Sequence, residues 1–125
     1  MPSNFNMLVV DDDVDMRTAL VLQFEAEGFS VETADDGIPA LAMIQRNNYD
    51  IVLLDLHLPK MGGLALMKEL NLRGKIPNVI ILTASNSLLK AVECVKLGAK
   101  NYLLKPYDPG ELLTVVTKTL SAGTA

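Results

Sequence analysis

Short apolar runs and segments of helical period alternate five times along the chain, with no long linker and no low-complexity tract between them. "NMLVV" runs into Asp11 and predicts a first strand; residues 14–27 predict a helix that stops at Gly28. Met16, Leu20 and Phe24 recur at every fourth position and so share one helix face. "FSVETA" alternates and predicts a strand near a sheet edge. "DDGIPALAMIQRN" predicts a helix capped by aspartate, with Pro39 in its first turn, where a missing N–H costs little. "DIVLLDL" and "NVIILTA" are continuous apolar runs, the mark of strands buried on both faces. A helix from near Gly63 to Arg73 separates them, and another from about Ser87 to Leu97 follows, stopped by Gly98. "NYLLK" is the fifth strand, and "DPGELLTVVTKTL" opens the last helix with Asp108 at the cap, Pro109 at the first helical position and Glu111 completing a capping box.

Strands alternating with helices of this length predict an α/β domain of right-handed βαβ units around a parallel sheet covered on both faces. Strands one, three and four, the uninterrupted ones, are expected at its centre. At 125 residues the chain is expected to be one domain, residues 1–125, large enough to bury a core. A content of 50% hydrophobic and 21% charged residues excludes a disordered chain. No apolar run reaches the roughly 18–20 residues a membrane span needs. No charged-then-apolar signal pattern follows Met1, so no membrane association and a cytoplasmic location are the expectations. The formal charge of −4 argues against direct nucleic-acid binding, which draws on a basic face. The single cysteine, Cys94, reads as a small residue packed on a helix.

In open parallel sheets ligands bind at the carboxyl ends of the strands. Those ends carry Asp11 and Asp12 after strand one, Asp55 after strand three, Thr83 after strand four and Lys105 after strand five. Taken singly, each has an ordinary reading: a helix-capping acid, a turn threonine, a solvated lysine. Taken together they bring three carboxylates and one lysine into one crevice. Like charges so close do not all stay ionised without a counter-charge, and a divalent cation closes the balance. Oxygen-only ligands favour Mg²⁺ or Mn²⁺ over zinc, and few protein ligands suit a metal shared with a phosphoryl group.

The stretches "LVVDDD", "LLDLHLP", "ILTAS" and "AVECVKLGAKNYLLKPYDPGELL" resemble the receiver domain of bacterial two-component response regulators over essentially the whole chain. The resemblance implies a flavodoxin-like (βα)5 sandwich with strand order 2-1-3-4-5. It implies that Asp55 is the phosphoacceptor, taking a phosphoryl group from a phosphohistidine of a sensor histidine kinase or a histidine phosphotransfer protein. Asp11, Asp12, Asp55 and the backbone carbonyl of His57 are the implied Mg²⁺ ligands. Lys105 and Thr83 are the implied phosphoryl partners, and Thr83 with Tyr102 the implied switch pair. The output is implied to leave through the fourth helix, fifth strand and fifth helix to a protein or domain that the sequence does not identify. A cis bond between Lys105 and Pro106 is also implied.

The chain departs from common receiver patterns at His57, at Tyr107, at Lys100–Asn101 and at Val115, where winged-helix regulators usually carry arginine. The salt-bridged dimer of that class is therefore not expected. Val115, with Val21 and Leu22, either packs internally or marks a partner surface. An aspartyl-phosphate phosphatase of the haloacid dehalogenase type is the competing enzyme reading, but its second aspartate is replaced by His57 and 125 residues leave no cap domain. A flavodoxin-like cofactor binder would need a phosphate-cradling loop where "DDDVD" stands. A receiver that signals by binding alone would not need so complete a site.

Overall fold

A computed structural model describes residues 5–122. Its strands are β1 (Asn6–Val10), β2 (Ser30–Ala34), β3 (Ile51–Asp55), β4 (Val79–Ala84) and β5 (Asn101–Lys105). They alternate with helices α1 (Val14–Glu25), α2 (Gly37–Arg46), α3 (Gly63–Arg73), α4 (Leu88–Lys96) and α5 (Pro109–Ala122). All neighbouring pairs are parallel and the order is β2-β1-β3-β4-β5, so the three continuous apolar runs do lie inside.

Side chains alternate across a strand, and here the alternation sorts the core into two halves. Leu8, Val10, Val52, Leu54 and Ile81 face α2, α3 and α4, whereas Met7, Val9, Ile51, Leu53 and Ile80 face α1 and α5. Phe24 of α1 is fully buried in the second half, edge-on to Phe29 at a centroid distance of 5.4 Å. Cys94 lies in the first half, where burial pushes its thiol up to about 11; it is an inert packing residue. Val115 packs against the α1–α5 half, while Leu22 remains exposed.

The helix starts follow their capping chemistry. Asp13 accepts from the backbone N–H groups of Asp15 and Met16, and Asp36 accepts from Ile38 at 2.6 Å. Three expectations need correction. Helix α1 stops at Glu25 rather than 27, because Gly28 (φ 95°) lets the chain fold back with Gly28 N–H on the Glu25 carbonyl. The capping box of α5 is half built: Asp108 accepts from Gly110 at 2.7 Å, and Glu111 makes no return bond among the described residues. A 3-10 turn, Ser85–Ser87, stands before α4, where the sequence predicted helix from Ser87.

One glycine ties packing to the site. A Cβ on Gly63 would lie 2.6 Å from the Asp55 carbonyl oxygen and 2.9 Å from the Leu56 Cα. These are backbone atoms and cannot rotate away. Gly63→Ala is therefore expected to destabilise by about 2–3 kcal/mol, the upper part of the overpacking range. Urea unfolding of the two proteins measures it, and an unchanged midpoint would refute the close approach.

Candidate functional site

The carboxyl ends of β1, β3 and β5 bring charged side chains to one crevice. Asp11 follows β1 and is 2% exposed. Its N–H donates to the Ala34 carbonyl at 3.1 Å, and its Oδ1 accepts from Asp13 N–H at 3.0 Å. Its carbonyl accepts from Arg17 Nη1 at 2.7 Å, so the loop between β1 and α1 is fixed from several sides. Asp12, next in the chain, is exposed. Asp55 ends β3, buried, with Oδ1 accepting from His57 N–H at 3.3 Å.

Lys105 ends β5 and bridges two acids, with Nζ 3.3 Å from Asp11 Oδ2 and 3.6 Å from Asp55 Oδ2. The Lys105–Pro106 bond is cis. One carboxylate oxygen from each of Asp11, Asp12 and Asp55 lies within 4.8 Å of the others. Three carboxylates against one ammonium leave two negative charges unbalanced. Burial raises the Asp55 pKa above the ordinary range; Lys105 opposes that, Asp11 reinforces it, and the His57 N–H opposes it again. Tyr107 feels the same acids: burial first, then Asp11 and Asp55, push its phenol up to about 12. The donor set is all oxygen, closely grouped and short of positive charge, and it fits Mg²⁺ or Mn²⁺.

The side chains of the remaining sequence-chosen residues have other partners. Thr83 is fully buried, and its hydroxyl contacts the carbonyl of Ala84 at 3.4 Å instead of Asp55. Tyr102 is half-buried against the α2–α3–α4 half of the core. His57 is exposed, and its Nε2 sits 2.5 Å from the hydroxyl of Ser87. Sequence reasoning gave Arg17 no role and read Ser87 only as a helix start, not as a partner of His57. Arg17 lies six residues beyond Asp11, on a helix whose periodicity reports only its apolar face. Ser87 lies thirty residues beyond His57, in a short polar turn that carries no periodic signal.

A doubly wound sheet with an acidic crevice and a lysine at the carboxyl ends of its strands defines a class, and the comparisons place the chain within it. The family model "Response regulator receiver domain" matches residues 7–117. The chain belongs to the response regulator receiver family of two-component signal transduction. It is 38% identical over 118 residues to the sensory transduction protein RegX3 of Mycolicibacterium smegmatis, covering 94% of this chain and 51% of that protein. It is 36% identical over 118 residues to the transcriptional regulatory protein ZraR of Escherichia coli, covering 94% of this chain and 27% of that one. The chain thus spans about half, or less, of the length of these curated relatives. Among solved structures, the receiver domain of the Francisella response regulator 1452 superposes with a TM-score of 0.89 at 34% identity, covering 96% of this chain and 99% of that one. The Vibrio cholerae chemotaxis protein CheY4 superposes with a TM-score of 0.83 at 30% identity, covering 92% and 98%. No helix among the described residues is long and apolar enough to cross a membrane.

Proposed function

We propose that this chain, as one receiver domain over residues 1–125, accepts a phosphoryl group on Asp55 from a phosphohistidine of a sensor kinase or histidine phosphotransfer protein in the cytoplasm. The observation that carries the reading is the position of Asp55: buried, held from behind by the His57 N–H, and faced by the Lys105 ammonium 3.6 Å away. An Asp55 oxygen attacks phosphorus, the P–N bond breaks, and the departing imidazole nitrogen takes up a proton. Asp11, Asp12 and Asp55, with the His57 carbonyl, would hold Mg²⁺ or Mn²⁺, which supplies charge neutralisation for the transferring group. Lys105 binds a phosphoryl oxygen and Thr83 turns its hydroxyl from the Ala84 carbonyl toward another. Tyr102 then moves inward into the space vacated near Thr83. The result is a population shift in the surface of α4, β5 and α5, read by an output protein or domain. Catalysis is confined to the chain's own phosphorylation and dephosphorylation. The site makes no use of nucleic acid or membrane.

The phosphatase reading loses ground at His57, which stands where a second acid is required and is engaged with Ser87. The deciding experiment is incubation with acetyl phosphate and Mg²⁺, followed by intact-protein mass spectrometry. One added phosphoryl group, with no turnover of phosphate monoesters, is expected. Steady hydrolysis of a monoester would favour the phosphatase.

The metal has its own test. Asp12 is the exposed member of the acidic group, so its loss perturbs the core least. Asp12→Ala is expected to weaken Mg²⁺ binding by at least about tenfold, as loss of even an outer partner of a metal site does. Calorimetric titration measures it, and equal affinity in the two proteins would contradict the assignment.

A further inference from the structure

The side chain of His57, the only histidine in the chain, spans from the loop after β3 to the 3-10 turn before α4. Its partner, Ser87, is 4% exposed although the histidine itself is exposed. The Ser87 hydroxyl also contacts Asn86 Oδ1 at 3.4 Å. A hydroxyl gives one hydrogen and accepts through its oxygen, so both contacts are satisfied when His57 Nε2 donates to Ser87 and Ser87 donates to Asn86. At its backbone, His57 donates to Asp55 Oδ1 at 3.3 Å. A line of bonds therefore runs from the phosphoacceptor carboxylate through His57 to the residue that precedes Leu88, where α4 begins. It is separate from the Thr83 side chain, whose hydroxyl rests on the Ala84 carbonyl.

We propose that Ser87 is a positioning residue acting through His57, and that their contact ties the start of α4 to the state of Asp55. The chemistry of the tie rests on the proposed function at one point only. An ionised carboxylate is a stronger acceptor than a neutral acyl oxygen, roughly by a factor of two in bond strength. Phosphorylation of Asp55 removes that charge from the acceptor of the His57 N–H, so the loop holding the imidazole loosens. The pull on Ser87 weakens with it, and the first turn of α4 is released. In the resting protein the tie exists without any phosphoryl group, and it is tested there first.

The measurement is amide hydrogen exchange at Val92 and Glu93, whose N–H groups bond to carbonyls of the first turn of α4. Proteins compared are the native chain, Ser87→Ala, His57→Ala and the double variant, with thermal melts to establish that each is folded. Each single variant is expected to exchange roughly three- to tenfold faster than native, the range one hydrogen bond supports. The double variant is expected to match the faster single, because both remove the same contact. Native rates in both single variants, or rates that multiply in the double, would overturn the tie. In a second arm, Mg²⁺ and beryllofluoride, a phosphoryl mimic, are added. Native protein is expected to exchange faster at these amides, and Ser87→Ala to change by less than half as much. Equal responses would overturn the coupling. A native protein that does not respond at all while the first arm succeeds would instead count against phosphoryl binding at Asp55.

Discussion

Asp55→Asn is expected to take up no phosphoryl group from acetyl phosphate and, at pH 7 without Mg²⁺, to melt at a higher temperature than the native protein. Both effects come from the same charge. A carboxylate attacks phosphorus because it carries an available electron pair, and the amide that replaces it is a poor nucleophile of nearly the same shape. The native protein holds this carboxylate at a cost, since burial disfavours its ionised form by more than Lys105 offsets, and Asp11 adds repulsion. With the folded pKa raised, stability falls as pH rises from the ordinary aspartate value of about 3.9 through the raised value, and the cost is complete above it. Below about pH 3.9 both states are protonated and the advantage of asparagine is gone. Intact-protein mass spectrometry and thermal melts across pH read the two outcomes. A phosphorylated Asp55→Asn protein would move the nucleophile elsewhere, and a lower melting temperature at pH 7 would mean that Lys105 outweighs burial.

That combination could be read from the sequence only in part. The inner strands were legible because burial on both faces makes their central positions apolar, and Asp55 stood out as the charge that ends such a run. The strand-end rule then collected Asp11, Asp12 and Lys105 with it, and the structure brings all four together. Periodicity carries no information on contacts made by single polar side chains across loops. The bond from Arg17 to the Asp11 carbonyl and the one from His57 to Ser87 are of that kind. The 3-10 turn before α4 was missed for a related reason, since "SNS" has neither an apolar period nor a glycine or proline to mark its geometry. Gly63 read only as a helix start; its close approach to the Asp55 carbonyl depends on how α3 returns over the end of β3.

Lys105→Ala is expected to slow phosphoryl uptake at Asp55 by about 100- to 1,000-fold, the usual cost of removing one charge-stabilising donor from a transferring group. The variant also leaves Asp11, Asp12 and Asp55 as a cluster with no ammonium, Asp11 and Asp55 being buried. Lys105 is the main influence holding the Asp55 pKa down against burial, so its loss raises that pKa further. By the sign of the linkage, the variant's stability deficit grows as pH rises through the raised pKa and shrinks as pH falls. Mg²⁺ is expected to restore more of the melting temperature in Lys105→Ala than it adds to the native protein, because the cation takes over the balancing of the same carboxylates. Lys105→Arg separates charge from placement. The guanidinium keeps the positive charge and most of the stability, but its planar, forked head does not reproduce a compact ammonium between Asp11 and Asp55, and little of the lost rate should return. Uptake rates from acetyl phosphate, with melts at acid and neutral pH in the presence and absence of Mg²⁺, measure all of this. Native rates in Lys105→Ala would remove the lysine from the transfer step and leave it as a structural counter-ion of Asp11 and Asp55.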